Sequence, residues 1–92
     1  MINVSGNKVF PEEVEAILLL HRDVEDARVY GGKHPVTGEL VEAEIVLKHG
    51  SERNAEEIIS HCRSHLLSYK IPQRIFFVEE IVKTKTGKIA RS

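Results

Sequence analysis

Residues 39–49 read ELVEAEIVLKH. Val41, Ala43, Ile45 and Leu47 fall on one side of this stretch and Glu42 and Glu44 on the other, the period of two that marks a half-buried strand. It is the clearest strand signal in the chain, and the fold can be read outward from it. Upstream, ARVYGG (27–32) is a second strand with Ala27 and Val29 on one face. KHPVTGE (33–39) joins the two as a hairpin-like connection through Pro35 and Gly38. Downstream, GSERN (50–54) is a loop, and NAEEIISHCRSHLL (54–67) predicts a helix. Asn54 is its N-cap, with Glu57 three residues on in the manner of a capping box. Its inward stripe is Ala55, Ile58, Ile59, Cys62 and Leu66.

SYKIPQ (68–73) breaks that helix at Pro72, and RIFFVEEI (74–81) is a final strand, apolar enough to lie centrally in the sheet. At the other end, MINVSGNKVF (1–10) opens with a short apolar strand signal broken by the turn cluster Ser5-Gly6-Asn7. PEEVEAILLLH (11–21) is a helix. Pro11 suits its first position, and Glu12, Glu13 and Glu15 favour the positive end of its dipole. Val14, Ile17 and Leu18 face inward, and Leu20 extends the stripe. The order is β-α-β-β-α-β, an α+β domain: a small sheet of about three main strands carrying two helices, with a flexible basic C-terminal tail. Ninety-two residues make one domain, 1–92.

The net charge of −1 is unevenly spread. All fourteen acids lie before residue 81, whereas Lys83, Lys85, Lys88 and Arg91 follow it. An acidic body argues against a nucleic-acid binder built on a basic face, while the tail points towards an anion. The single cysteine, Cys62, excludes an internal disulfide and fits a reducing, cytoplasmic setting. No signal peptide is visible, and no apolar run approaches the ~18 residues that span a bilayer.

Three chemistries can be weighed and set aside. His61 and His65 have the i,i+4 spacing that can share a metal, but Cys62 between them falls on the apolar stripe and no His-Glu-x-x-His pattern accompanies them. Two polar histidines flanking a buried thiol are the simpler account, and no metal is expected. A thiol on a buried helix face is also a poor nucleophile. TKTGK (84–88) has the end of a phosphate-binding loop, yet that motif needs Gly where Val82 stands and Ser or Thr where Ile89 stands. VSGNKVFPEEVE (4–15) is harder to dismiss. Gly6 permits positive φ or close backbone approach, and Lys8 follows on a strand leading straight into a Pro-initiated helix.

Four segments in order, VSGNKVFPEEVEAIL (4–18), VEDARVYGGKHPVTGELVEAEIVL (24–47), LLSYKIPQRIFFVEEI (66–81) and KTKTGKIARS (83–92), together resemble one family. It is the small C-terminal domain of the adenylate-forming enzymes: acyl-CoA synthetases, luciferases and the adenylation domains of peptide synthetases. The resemblance covers essentially the whole chain. Its most specific parts are the Gly-x-Lys-Val-x-Pro-x-Glu-Val-Glu run, the Tyr-Lys-x-Pro element and the terminal Thr-x-Thr-Gly-Lys-Ile-x-Arg.

The resemblance implies a function. Such enzymes activate a carboxylic acid with MgATP, forming an acyl-adenylate and pyrophosphate, and pass the acyl group to coenzyme A or a carrier protein's pantetheine. Lys88 matches the family's catalytic lysine, supported by Thr86 and Gly87, with Lys83 and Lys85 raising the local positive potential around phosphate. Val4, Ser5 and Gly6 match the strand-turn that lines the pantetheine tunnel, and Lys8 matches a position usually basic in the family, which makes it a candidate for phosphate contact. The partner implied is a large N-terminal domain carrying the ATP and acid pockets. That domain, and the hinge that would precede Met1-Ile2, are absent from this chain, so ATP turnover by the 92 residues alone is not expected. Val82 departs from the proline common at its position.

Two readings compete with this one: a freestanding module that binds an anion or a protein through the Gly6 turn and the tail, and an acidic α+β scaffold with an inert tail.

Overall fold

In the computed structural model, which describes residues 1–81, the two alternating segments form one long antiparallel hairpin. Its arms are β3 (Val24–His34) and β4 (Gly38–Leu47), in register from Val24 opposite Leu47 to His34 opposite Gly38, with a bulge between Val24 and Asp26. The other edge of β4 is shared. Near its start it meets β1 (Ile2–Val4) through Val4 and Gly38. Further along it pairs in parallel with β5 (Arg74–Phe77), from Glu42 opposite Arg74 to Ile45 opposite Phe77. β2 (Asn7–Val9) closes a tight hairpin onto β1.

The sheet therefore has five strands, and the expected three are its larger part. Residues 1–10, read as one short strand, make two, and Ile2, Val4 and Val9 are all buried there. Ser5-Gly6 does not break a strand there; it turns one strand back on itself. β5 is the second correction. It pairs with β4 alone among the described residues, so it is an edge strand and not a central one. Ile75 and Phe77 pack against the core, while Arg74 and Phe76 face outward.

Two helices complete the core. α1 (Pro11–Leu19) and α2 (Ala55–Arg63) contribute Val14, Leu18, Ile58 and Cys62 to one buried cluster with Ala27, Val29, Val41, Ala43 and Ile45. Each helix has nine residues, too few to persist alone in water, so packing holds them. Fully burying a Val, Leu or Ile contributes ~1.5–3 kcal/mol, enough to offset that deficit. Both helices end earlier than expected. Leu20 is 66% exposed beyond the last turn of α1, so it does not extend the stripe. In α2, Ala55 is exposed and the buried stripe begins at Ile58. Asn54 caps α2 as expected, its side-chain oxygen accepting the Glu57 N–H at 3.1 Å.

Several charged side chains serve as fastenings. The Glu15 carboxylate accepts the Val29 N–H at 2.8 Å, tying α1 to β3. Glu13 accepts two hydrogen bonds from the Lys70 ammonium, at 2.9 and 3.0 Å, fastening the 3-10 turn Ser68–Lys70 to α1. That contact holds the Lys70 pKa above the ordinary lysine range. On the sheet face away from the core cluster, Arg28 pairs with Glu44 and Arg74 with Glu42.

The α1–α2 junction is closed by histidines. The His61 Nε2 lies 2.6 Å from the Ile17 carbonyl, which also accepts the Leu20 N–H at 3.2 Å where α1 ends. His21 packs edge-on against His61, with ring centroids 5.1 Å apart. Its Nδ1 accepts the Asp23 N–H, and its Nε2 faces Glu57 at 3.5 Å. His65, the other half of the i,i+4 pair, bonds through Nδ1 to the His61 carbonyl. Both rings of that pair are thus spent on backbone groups. Cys62 is buried, and burial pushes its thiol from an ordinary 9.0 up to about 11. The described helices include none long and apolar enough to cross a membrane.

Candidate functional site

The Val4-Ser5-Gly6 segment forms the tip of the β1–β2 hairpin. Val4 pairs with Asn7 and leaves Ser5 and Gly6 as a two-residue loop. Both have positive φ, +51° and +86°, the combination that a type I′ turn requires. Glycine adopts it freely. Serine does so at a cost, and Ser5 is the one non-glycine residue with positive φ among the described residues.

The turn is held from two sides. Within the hairpin, the Gly6 N–H donates to the Asn3 side-chain oxygen at 2.9 Å. From outside, the Ser5 N–H donates to the Thr37 carbonyl at 3.0 Å, and the Asn3 N–H to Glu39 Oε1 at 2.7 Å. Thr37 is the last residue of the turn of the neighbouring β3–β4 hairpin and Glu39 follows on β4, where the Thr37 hydroxyl donates to the Glu39 carbonyl at 2.8 Å. His34 opens that turn, and its Nδ1 accepts two backbone N–H groups, from Val36 at 3.1 Å and Thr37 at 3.2 Å. Two adjacent hairpin tips therefore brace each other.

A Cβ added to Gly6 would meet nothing within 4 Å among the described residues, which leave the space over it open. Val4 is buried, whereas Ser5, Gly6 and Lys8 are exposed. Lys8 sits on β2 opposite Asn3, close to the turn. Of the candidate residues, the structure brings Val4, Ser5, Gly6 and Lys8 together. Lys83, Lys85, Thr86, Gly87 and Lys88 lie outside the described residues.

A family model described as the AMP-binding enzyme C-terminal domain matches residues 13–88. The chain belongs to that family. Among curated relatives, the 3,4-dihydroxybenzoate–[aryl-carrier protein] ligase of Bacillus anthracis is 50% identical over 99% of this chain. An oxalate–CoA ligase of Saccharomyces cerevisiae is 40% identical over the same share. This chain spans 21% and 17% of those two proteins, about a fifth of their length. Among solved structures, the amide bond synthetase from Marinactinospora thermotolerans superposes with a TM-score of 0.89 at 35% identity. That match covers 97% of this chain and 18% of the other. The o-succinylbenzoate CoA synthetase from Bacillus subtilis, solved with its acyl-adenylate intermediate, gives 0.87 at 31%, covering 98% of this chain and 18% of its own.

Seen as a member of this family, the domain divides its motif residues by job. Glu13 and Glu15 of the Pro-x-Glu-Val-Glu run, together with Lys70 of the Tyr-Lys-x-Pro element, are fastenings within the fold. Sequence reading missed Asn3, His34, Thr37 and Glu39, which build the support beneath the turn. The available signal was His34-Pro35-x-Thr37-Gly38 between two alternating strands. A residue at the first position of such a turn commonly accepts backbone N–H groups further along.

Proposed function

We propose that the domain is the C-terminal part of an AMP-forming acid–thiol ligase and serves two successive reactions. In the first, a carboxylate oxygen attacks the α-phosphorus of MgATP, and pyrophosphate leaves with the broken P–O bond. The product is an acyl-adenylate. Two anions must approach each other for this to happen, and a fixed ammonium offsets the repulsion. Lys88 supplies it, with Lys83 and Lys85 adding positive potential. Losing one such preorganised donor typically costs ~3–4 kcal/mol, or ~10²–10³ in rate.

In the second reaction a pantetheine thiol attacks the acyl carbon, gives up its proton and expels AMP. Val4, Ser5 and Gly6 line the approach of that thiol's arm, and Lys8 meets phosphate. The acid and nucleotide pockets belong to a large N-terminal domain. The observation that carries this reading is the match over residues 13–88, which takes in the Thr-Gly-Lys element. The open space over Gly6 supports the assignment of the thiol face. Relatives that load coenzyme A and one that loads an aryl-carrier protein are consistent with a pantetheine acceptor.

The test uses the full-length ligase with the acid that supports the fastest wild-type pyrophosphate exchange; 3,4-dihydroxybenzoate is the first to try. Lys88→Ala should lower exchange by ~10²–10³. Gly6→Val should leave exchange intact and slow thioester formation with coenzyme A. Undiminished exchange in Lys88→Ala overturns the role of that lysine.

A further inference from the structure

We propose that His34 is a positioning residue for thiol transfer: by capping the β3–β4 turn through Nδ1, it holds the carbonyl that fixes the Ser5-Gly6 turn. The proposal rests on the reading of Val4-Ser5-Gly6 as the thiol-facing segment. The observations behind it form a chain of hydrogen bonds. His34 Nδ1 accepts the Val36 and Thr37 N–H groups. This fixes the Val36–Thr37 peptide and so the start of Thr37, and the carbonyl of the next peptide, that of Thr37, accepts the Ser5 N–H at 3.0 Å. Besides this bond, the described residues tie the β1–β2 hairpin to β4 there through the single register pair Val4 and Gly38 and the Asn3 N–H bond to Glu39. Ser5 also holds a positive φ that serine does not favour, so it stays in place only while its surroundings compel it.

The chemistry constrains His34 closely. A ring nitrogen that accepts two N–H groups carries no proton, so the proton of the neutral ring sits on Nε2. An imidazolium could not serve, having no acceptor. Nδ1 is bonded to Cγ, as Oδ1 is in asparagine, and asparagine is among the residues favoured at the first position of a type I turn for this hydrogen bond. His34→Asn therefore keeps the acceptor at the same topological distance, and His34→Leu removes it with little change in bulk.

In the full-length ligase, with coenzyme A as acceptor, His34→Leu should raise KM for coenzyme A about tenfold. Pyrophosphate exchange should stay within about twofold of wild type, because adenylation does not use this face. His34→Asn should restore KM. In the 92-residue chain, the Ser5 amide should exchange with deuterium at least about tenfold faster in His34→Leu than in wild type or His34→Asn. ¹⁵N spectra of the wild-type ring should show the proton on Nε2. If His34→Leu does not fold, the ring spectrum and the His34→Asn kinetics decide: a proton on Nδ1, or a KM raised in His34→Asn, overturns the proposal. A normal KM in a folded His34→Leu enzyme, beside a defective Gly6→Val enzyme, overturns this proposal alone. A wild-type Gly6→Val enzyme overturns the thiol-face reading and this proposal with it.

Discussion

The carboxylate of Glu42 lies directly over the backbone of Gly32: a Cβ placed on Gly32 would fall 2.5 Å from the Glu42 carboxyl carbon. Glu42 is only 9% exposed and is held by Arg74 at 3.0 Å, so it has little room to withdraw. Gly32→Ala should lower stability by about 1–3 kcal/mol, the usual cost of forcing extra volume into a packed site. In the double variant with Glu42→Ala the added methyl should cost much less. Urea unfolding of all four proteins gives the coupling, and additive losses would contradict the contact.

Ser5 and Gly6 form a two-residue hairpin loop in which both φ angles are positive. Asn-Gly is the favoured pair for such a loop. Ser5→Asn should therefore raise stability by about 0.5–1 kcal/mol without changing the sheet register. Gly6→Ala should lower it by about 1 kcal/mol, although open space surrounds the site. Thermal unfolding of the two variants tests both signs.

β3 presents its outer edge to α1, and Glu15 occupies that edge by accepting the Val29 N–H. Glu15→Ala would leave a poorly solvated N–H without its partner, a loss of about 1–3 kcal/mol. Glu15→Gln keeps an acceptor oxygen and should lose less. Faster hydrogen exchange at the Val29 amide in Glu15→Ala would locate the damage.

The buried thiol makes stability fall at alkaline pH. Below pH 9 the folded and unfolded chains both keep the Cys62 proton, and its full contribution is present. Between pH 9 and about 11 the unfolded chain releases the proton while the folded chain retains it, so unfolding gains. The loss should be on the order of 1–3 kcal/mol and level off above that range. Cys62→Ala removes this titration, so the stability difference between wild type and variant should shrink as pH rises. A difference that stays constant from pH 8 to 11 would contradict it.

The long hairpin was legible because one sheet face packs against both helices, and the apolar half of the alternation records that packing, although Leu40 and Glu42 on the other face are buried too. Asn54 was legible too, since an N-cap is a local hydrogen bond. Residues 1–10 showed one strand and concealed a second, because three-residue strands are too short to show a period and Ser-Gly is a less obvious turn than Asn-Gly. The edge position of β5 was hidden because Ile75, Phe76 and Phe77 read as a continuous apolar run, whereas Phe76 is 45% exposed. At the site, Gly6 was readable from its backbone freedom. Its bracing was not, because Thr37 and Ser5 lie far apart in sequence and meet through backbone atoms, which no side-chain pattern encodes.

Cys62 is the chain's single cysteine and is wholly buried, with its thiol held protonated far into the alkaline range. For maleimide chemistry at neutral pH the folded domain is therefore blank. A cysteine introduced at Val36, which is 85% exposed beside the Ser5-Gly6 turn, would become the sole attachment point for a dye. The wild-type sequence thus offers a ready background for reporting, by fluorescence, on that turn when coenzyme A is added to the full-length ligase.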